Sequence, residues 1–200
     1  MTTSVEIVNM ALTMLGTKRI AALTDNVKEA REMNAVYTLR RDALLRSFNW
    51  SFAMERTSLS ALSDAPAWGY TVAYQLPSDC LRVVQVNDIW QVPGLSDAMG
   101  GPDAEPYKIE GRTIVTDFSA PLYLRYVKRV SNTADFDSAF ASVFACDLAI
   151  ATCEAITQSR TKKDSLKDDY AEAIRLAVRA NAIELPPEEI PDDSWMLSRH

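Results

Sequence analysis

Few residues of this 200-residue chain have the types and spacing that catalysis requires. The one histidine is His200, at the end of the sequence, so Ser-His-Asp and Cys-His relays and multi-histidine metal sites are not to be expected. Cys80, Cys146 and Cys153 are odd in number and form no C-x-x-C, which argues against a disulfide framework or a zinc site. Cys146 and Cys153 sit seven apart on one predicted helix, roughly 10.5 Å along its axis, too far for a disulfide, and read as small core hydrophobes. Gly100-Gly101-Pro102 lacks the lysine and the following helix of a phosphate cradle. What remains are carboxylate pairs, Asp103 with Glu105 and Asp147 with Glu154, the raw material of two-carboxylate glycan cleavage. In a chain with 27 Asp and Glu such pairs are common, and Glu154 serves equally as an ion-pair partner for Arg160 or a lysine. The expectation is a protein that is not an enzyme, with no catalytic residues, no cofactor and no metal.

Net charge is −6. That opposes a grip on a phosphate backbone, which needs a concentrated basic face. The local basic clusters, Arg40, Arg41 and Arg46, then Arg125, Lys128 and Arg129, then Lys162, Lys163 and Lys167, read as solvated faces interleaved with acids. Near the N-terminus the run free of charged side chains, Ile7 to Thr17, is too short to span a membrane and lacks the basic start and cleavage site of a signal peptide. The expectation is therefore a chain that starts in the cytoplasm, with no membrane partner. A chain of this length buries about 70% of its unfolded surface, enough for one domain or two small lobes.

The elements follow from periodicity. Thr3 caps a first helix, with Glu6 completing a capping box; Val5, Val8, Leu12 and Leu15 form its stripe, widened by Ile7, Ala11 and Met14, and Gly16 closes it. A second helix should start after Asp25 or Asn26 and run to about Phe48, interrupted on its apolar face by Arg40 or Arg41. The two should form an antiparallel hairpin, each covering the other. From Trp50 the period becomes two: Trp50, Phe52 and Met54; Trp68, Tyr70, Val72, Tyr74 and Leu76; Leu122, Leu124 and Tyr126. Leu81 to Val86 is a further strand, continued by Ile89 to Val92 after a turn, and Tyr107 to Val115 a hairpin turning at Gly111. The long connection from Pro93 to Pro106 is of the kind that carries function. A third helix, roughly Asp137 to Ser159, and a fourth, roughly Thr161 to Ile183, follow. On the third, Ala145 and Ala149 belong to an alanine-rich surface that lets helices approach closely, and they are the expected lateral contact between subunits. The predicted fold is α+β: a helical hairpin (1–49) and a C-terminal helical pair (133–184) forming a bundle, an antiparallel β lobe (50–132) inserted between them, and an extended tail (185–200). Pro186, Pro187 and Pro191 keep that tail extended. Ile190, Trp195, Met196 and Leu197 are its expected partner-binding residues, with Trp195 as anchor.

Val8 to Gly16, then Ala30-Arg31, Asn34, Tyr37, Arg41, Asp42 and Leu45 leading into Phe48-Asn49-Trp50-Ser51-Phe52-Ala53, and Tyr74 to Arg82, carry a resemblance. In order and in these residues the chain resembles the tail tubular protein A and head-to-tail adaptor family of short-tailed phages. The resemblance covers nearly the whole chain in element order and about its first ninety residues in sequence. It implies a structural virion protein, assembled in the host cytoplasm and located at the head-tail junction. Such a protein is a homo-oligomeric ring, commonly of twelve copies, that joins the portal protein to the tail nozzle and extends the DNA channel. Given the negative charge, DNA should pass through without specific binding. Two other classes compete: a tail-associated peptidoglycan hydrolase working through Asp103 or Glu105, and an assembly or completion factor that does not remain in the virion.

Overall fold

The computed structural model describes residues 2–90 and 106–184. Its fold is α+β: four helices and two small antiparallel sheets. Helix α1 (Ser4–Leu15) starts as its sequence requires: the Glu6 amide donates to Thr3 Oγ1 at 3.2 Å while the Thr3 amide donates to Glu6 Oε2 at 2.7 Å. It ends at Gly16, whose φ of 74° is the left-handed conformation that a glycine adopts without steric cost. Ile7, Val8, Ala11, Leu12 and Leu15 are buried and Val5 is half-buried, so the stripe is centred one residue round from the expected one.

Asn9 then holds the link that follows α1. Its side-chain amide donates to the Ile20 carbonyl at 2.9 Å and its oxygen accepts from the Ile20 amide at 2.8 Å, pairing both backbone groups of a residue outside regular structure. Asp25, a candidate cap for the second helix, instead accepts from the Ala21 and Ala22 amides. With that carboxylate engaged, α2 (Lys28–Ser47) begins later than expected, after Val27, which offers no side-chain cap.

The expected mutual covering of the first two helices is not what forms. Helix α3 (Ser138–Thr157) takes the central place, and α1, α2 and α4 (Arg160–Glu184) all pack on it, with far less contact between α1 and α2. Eleven of its twenty residues are buried, on every side of the helix. By length and composition α3 could cross a membrane; here 61% of its apolar window is covered by the rest of the chain. Phe140 is the hub, with ring centroids 4.9 Å from Phe136, 5.0 Å from Phe52 and 5.1 Å from Trp50. Trp50 and Phe52 therefore do not alternate along a strand. Residues Ser51–Ala53 form a single 3-10 turn that swings both rings into the helical core, and the Trp50 indole N–H donates to the Leu44 carbonyl at 3.1 Å. The strand proper, β1 (Met54–Leu59), starts after that turn.

The remaining strands are β2 (Val72–Gln75), β3 (Cys80–Val86), β4 (Ile89–Trp90), β5 (Tyr107–Glu110), β6 (Thr113–Thr116) and β7 (Leu122–Lys128). They form one sheet in the order β1-β7-β3-β4 and another in the order β2-β6-β5. Trp68 and Tyr70 precede β2 rather than opening it, because Gly69 at φ 85° breaks the extended run. The hairpin at Gly111 forms as read from the sequence, Glu110 opposite Thr113. Strand β3 does not alternate simply. Register shifts between Cys80 and Arg82 and between Val83 and Gln85 place Leu81 and Val84 toward the helices, and Cys80, Val83 and Val86 toward the second sheet. The four-stranded sheet thus closes two cores: Val84 and Val127 complete the helical one, while Val83, Leu124 and Tyr126 pack with Tyr74 and Ile114 between the sheets.

Candidate functional site

Ala145 and Ala149 correct the expectation placed on them. Both are 0% exposed inside this chain's own core, so neither reaches a neighbouring subunit. Their small side chains do permit close helix approach, but the partners are α1, α2 and α4 of the same chain. Ile190, Trp195, Met196 and Leu197 lie outside the described residues, as do Asp103 and Glu105 and nearly all of the long connection before β5.

The other carboxylate pair is engaged elsewhere. Asp147, 8% exposed at its side chain, accepts from Arg40 Nε at 2.7 Å and from Arg40 Nη2, a two-pronged pair tying α2 to α3. The bond to Asp147 holds the Arg40 guanidinium above its ordinary value. Glu154 pairs with Lys163 at 3.0 Å across the α3–α4 turn, the lysine alternative of its sequence reading. Burial pushes the Cys80 and Cys146 thiols up, away from the thiolate that nucleophilic chemistry needs. Among the described residues no group of three or more His, Cys, Asp or Glu could hold a metal ion.

The residues that carry the resemblance converge on the joint between the helices and the four-stranded sheet. Arg82 Nε donates to the Arg46 carbonyl at 2.9 Å and Arg82 Nη2 to Asn49 Oδ1 at 2.5 Å; Arg46 reaches back to the Leu81 carbonyl. Burial lowers the Arg82 guanidinium, and Arg46 beside it adds to that. Asp42 accepts from Arg41, which is buried, and from Arg129 Nε at 2.8 Å, fastening α2 to the end of β7. The end of α4 closes the same joint. Asn181 accepts from the Ser51 amide at 2.7 Å and donates to the Asn49 carbonyl at 2.8 Å, and Ser51 Oγ donates to Glu184 at 2.6 Å.

At the opposite end of the sheet lies an open recess of about 460 Å³, lined by Arg56, Ser58, Gln85, Asp88, Tyr123 and Arg125 among others. Arg56 stands directly opposite Arg125, and Ser58 opposite Tyr123, so two guanidinium groups and an aromatic ring share one face. Like charges in direct opposition weaken a strand pair unless something else is gained there. Tyr123 is 61% exposed, and its backbone is held on both sides: its amide donates to Asn87 Oδ1 at 3.0 Å and its carbonyl accepts from the Asn87 amide at 2.7 Å. The out-facing alternation of Tyr123 and Arg125 with Leu122, Leu124 and Tyr126 was present in the sequence; the opposition to Arg56 depends on strand register and was not.

No family model matches the chain, and no curated protein matches it significantly.

Proposed function

We propose that the chain is a structural subunit of a phage head-to-tail adaptor, a homo-oligomeric ring, commonly of twelve copies, between the portal and the tail nozzle, through which DNA passes without being bound. The observation that supports this reading best is the role of the resembling residues. Asn9, Gly16, Asp42, Asn49, Trp50 and Arg82 each make a contact or turn that sets how α1, α2 and the four-stranded sheet join. Motif positions that build a joint suit a subunit whose task is to hold a fixed shape. The Asp147 and Glu154 carboxylates are occupied by Arg40 and Lys163, which gives the hydrolase reading no support from that pair.

The test is reconstitution with the portal. Mixed with its cognate portal, the full chain should form a ring seen by electron microscopy on the portal's tail-facing end, and mass spectrometry should find the protein in purified virions. Deleting the segment after Leu185 should abolish attachment. Absence from virions together with no portal affinity would overturn the reading; transient portal binding without retention in virions would replace it with an assembly factor.

A further inference from the structure

The segment between β1 and β2 presents the most exposed large apolar side chain among the described residues, Trp68, at 87%. Two clamps hold the segment. Near its start the Leu62 amide donates to the Ala73 carbonyl at 2.8 Å, with Ala61 bridged to Tyr74. At its end the Thr71 amide and hydroxyl both donate to Asp117 Oδ1 at 2.9 Å. Asp64 is exposed on the same segment. A tryptophan held out on a clamped loop loses little conformational freedom on docking, and it is the residue type that most often dominates a protein contact.

The same chain carries a surface suited to receive it. The recess beside Tyr123, about 460 Å³, lies within the roughly 300–1,000 Å³ range of ligand pockets and is ample for one indole. Its chemistry matches on three counts. The Arg56 and Arg125 guanidinium groups can lie over an indole face. The Tyr123 ring offers an aromatic edge. The Asp88 carboxylate can accept the indole N–H, while Asp64 beside the incoming Trp68 is complementary to the arginine pair.

We propose that Trp68 of one copy seats in the Arg56–Tyr123–Arg125 recess of the next copy of this chain. Knob and recess are different surfaces of one molecule, so the contact is head-to-tail. It leaves a free knob and a free recess on every incomplete assembly, and it either propagates or closes into a ring. This deepens the adaptor reading and rests on it for the ring that results.

The experiment uses full-length chains with single substitutions, followed by sedimentation velocity, alone and on the portal. Trp68→Ala and Tyr123→Asp should each weaken self-association about thirtyfold or more while leaving the circular dichroism spectrum and melting unchanged, and Trp68→Phe should restore part of it. Mixed in equal amounts, the two defective variants retain one good knob and one good recess between them, and should give a dimer and nothing larger. Trp68→Cys paired with Ser58→Cys should crosslink between copies. Variants that assemble like the wild type, a mixture that stays monomeric, no crosslink, or a wild-type chain that is monomeric both free and on the portal would each overturn the contact. Self-association that depends on Trp68 in a chain without portal affinity would leave the contact standing and remove the adaptor reading. Portal rings that ignore Trp68 would do the reverse.

Discussion

Around α3 the large rings point inward: Trp50, Phe136, Phe140 and Phe144 meet within one cluster, and even the polar Asp147 is enclosed by a partner. At the far end of the sheets, side chains of the same size point outward, Trp68 at 87% and Tyr123 at 61% exposure, beside two arginines forced into opposition. The first arrangement returns packing energy to the subunit itself. The second returns little until something covers it, so the two regions divide the tasks of holding shape and making contact.

The strongest way to break that division is to force a charge into the helical core. Ala145→Arg or Ala149→Arg should destabilise the subunit by about 4 kcal/mol or more, because each side chain is enclosed on all sides and a guanidinium there would be both too large and unpaired. Against a total stability of roughly 5–15 kcal/mol, that leaves a poorly folded chain, read as a large fall in melting temperature. A folded variant that merely fails to assemble would return these alanines to a subunit interface.

The Arg40–Asp147 pair sharpens the comparison through an asymmetry. Arg40→Ala leaves the enclosed carboxylate alone and should cost about 3 kcal/mol. Asp147→Ala should cost only about 1 kcal/mol, since Arg40, 39% exposed at its side chain, can turn to water. Denaturant unfolding of the two variants checks the order; equal losses would mean the pair is open to solvent on both sides.

The smallest effect is expected where the helical region meets water. The Glu6 carboxyl is held below its ordinary value of 4.5 by the backbone amide and then the hydroxyl of Thr3. A depressed folded value means the cap's contribution is present above pH 4.5 and is lost as pH falls through that lower value. Acidification should therefore shift the Thr3 amide in NMR spectra and fray the start of α1, with no change at Tyr123. A Glu6 midpoint at or above the ordinary value would remove the reciprocal cap.

Much of this architecture was legible because it is local. The Thr3–Glu6 box, the stop at Gly16, the turn at Gly111 and the buried face of α4 around Leu166, Tyr170 and Ala177 each depend on residues within a turn or two of one another. Where a distant group intervened, the local reading slipped. Asp25 was free in the sequence to cap α2 but is engaged by Ala21 and Ala22, and Trp50 alternates with Phe52 yet is drawn out of the strand by Phe140 and the Leu44 carbonyl.

By itself the sequence determined the four helices, the run of antiparallel strands between them and the absence of histidine before its last residue, since periodicity and composition act through neighbours along the chain. Only the tertiary structure decided what the alanine-rich α3 is. A helix apolar on all sides with small residues along it has the same pattern whether it faces another subunit or its own chain, and burial by α1, α2 and α4 selects the second. It also decided that Arg56 meets Arg125, because strand register is set by the packing of two sheets and not by either strand alone.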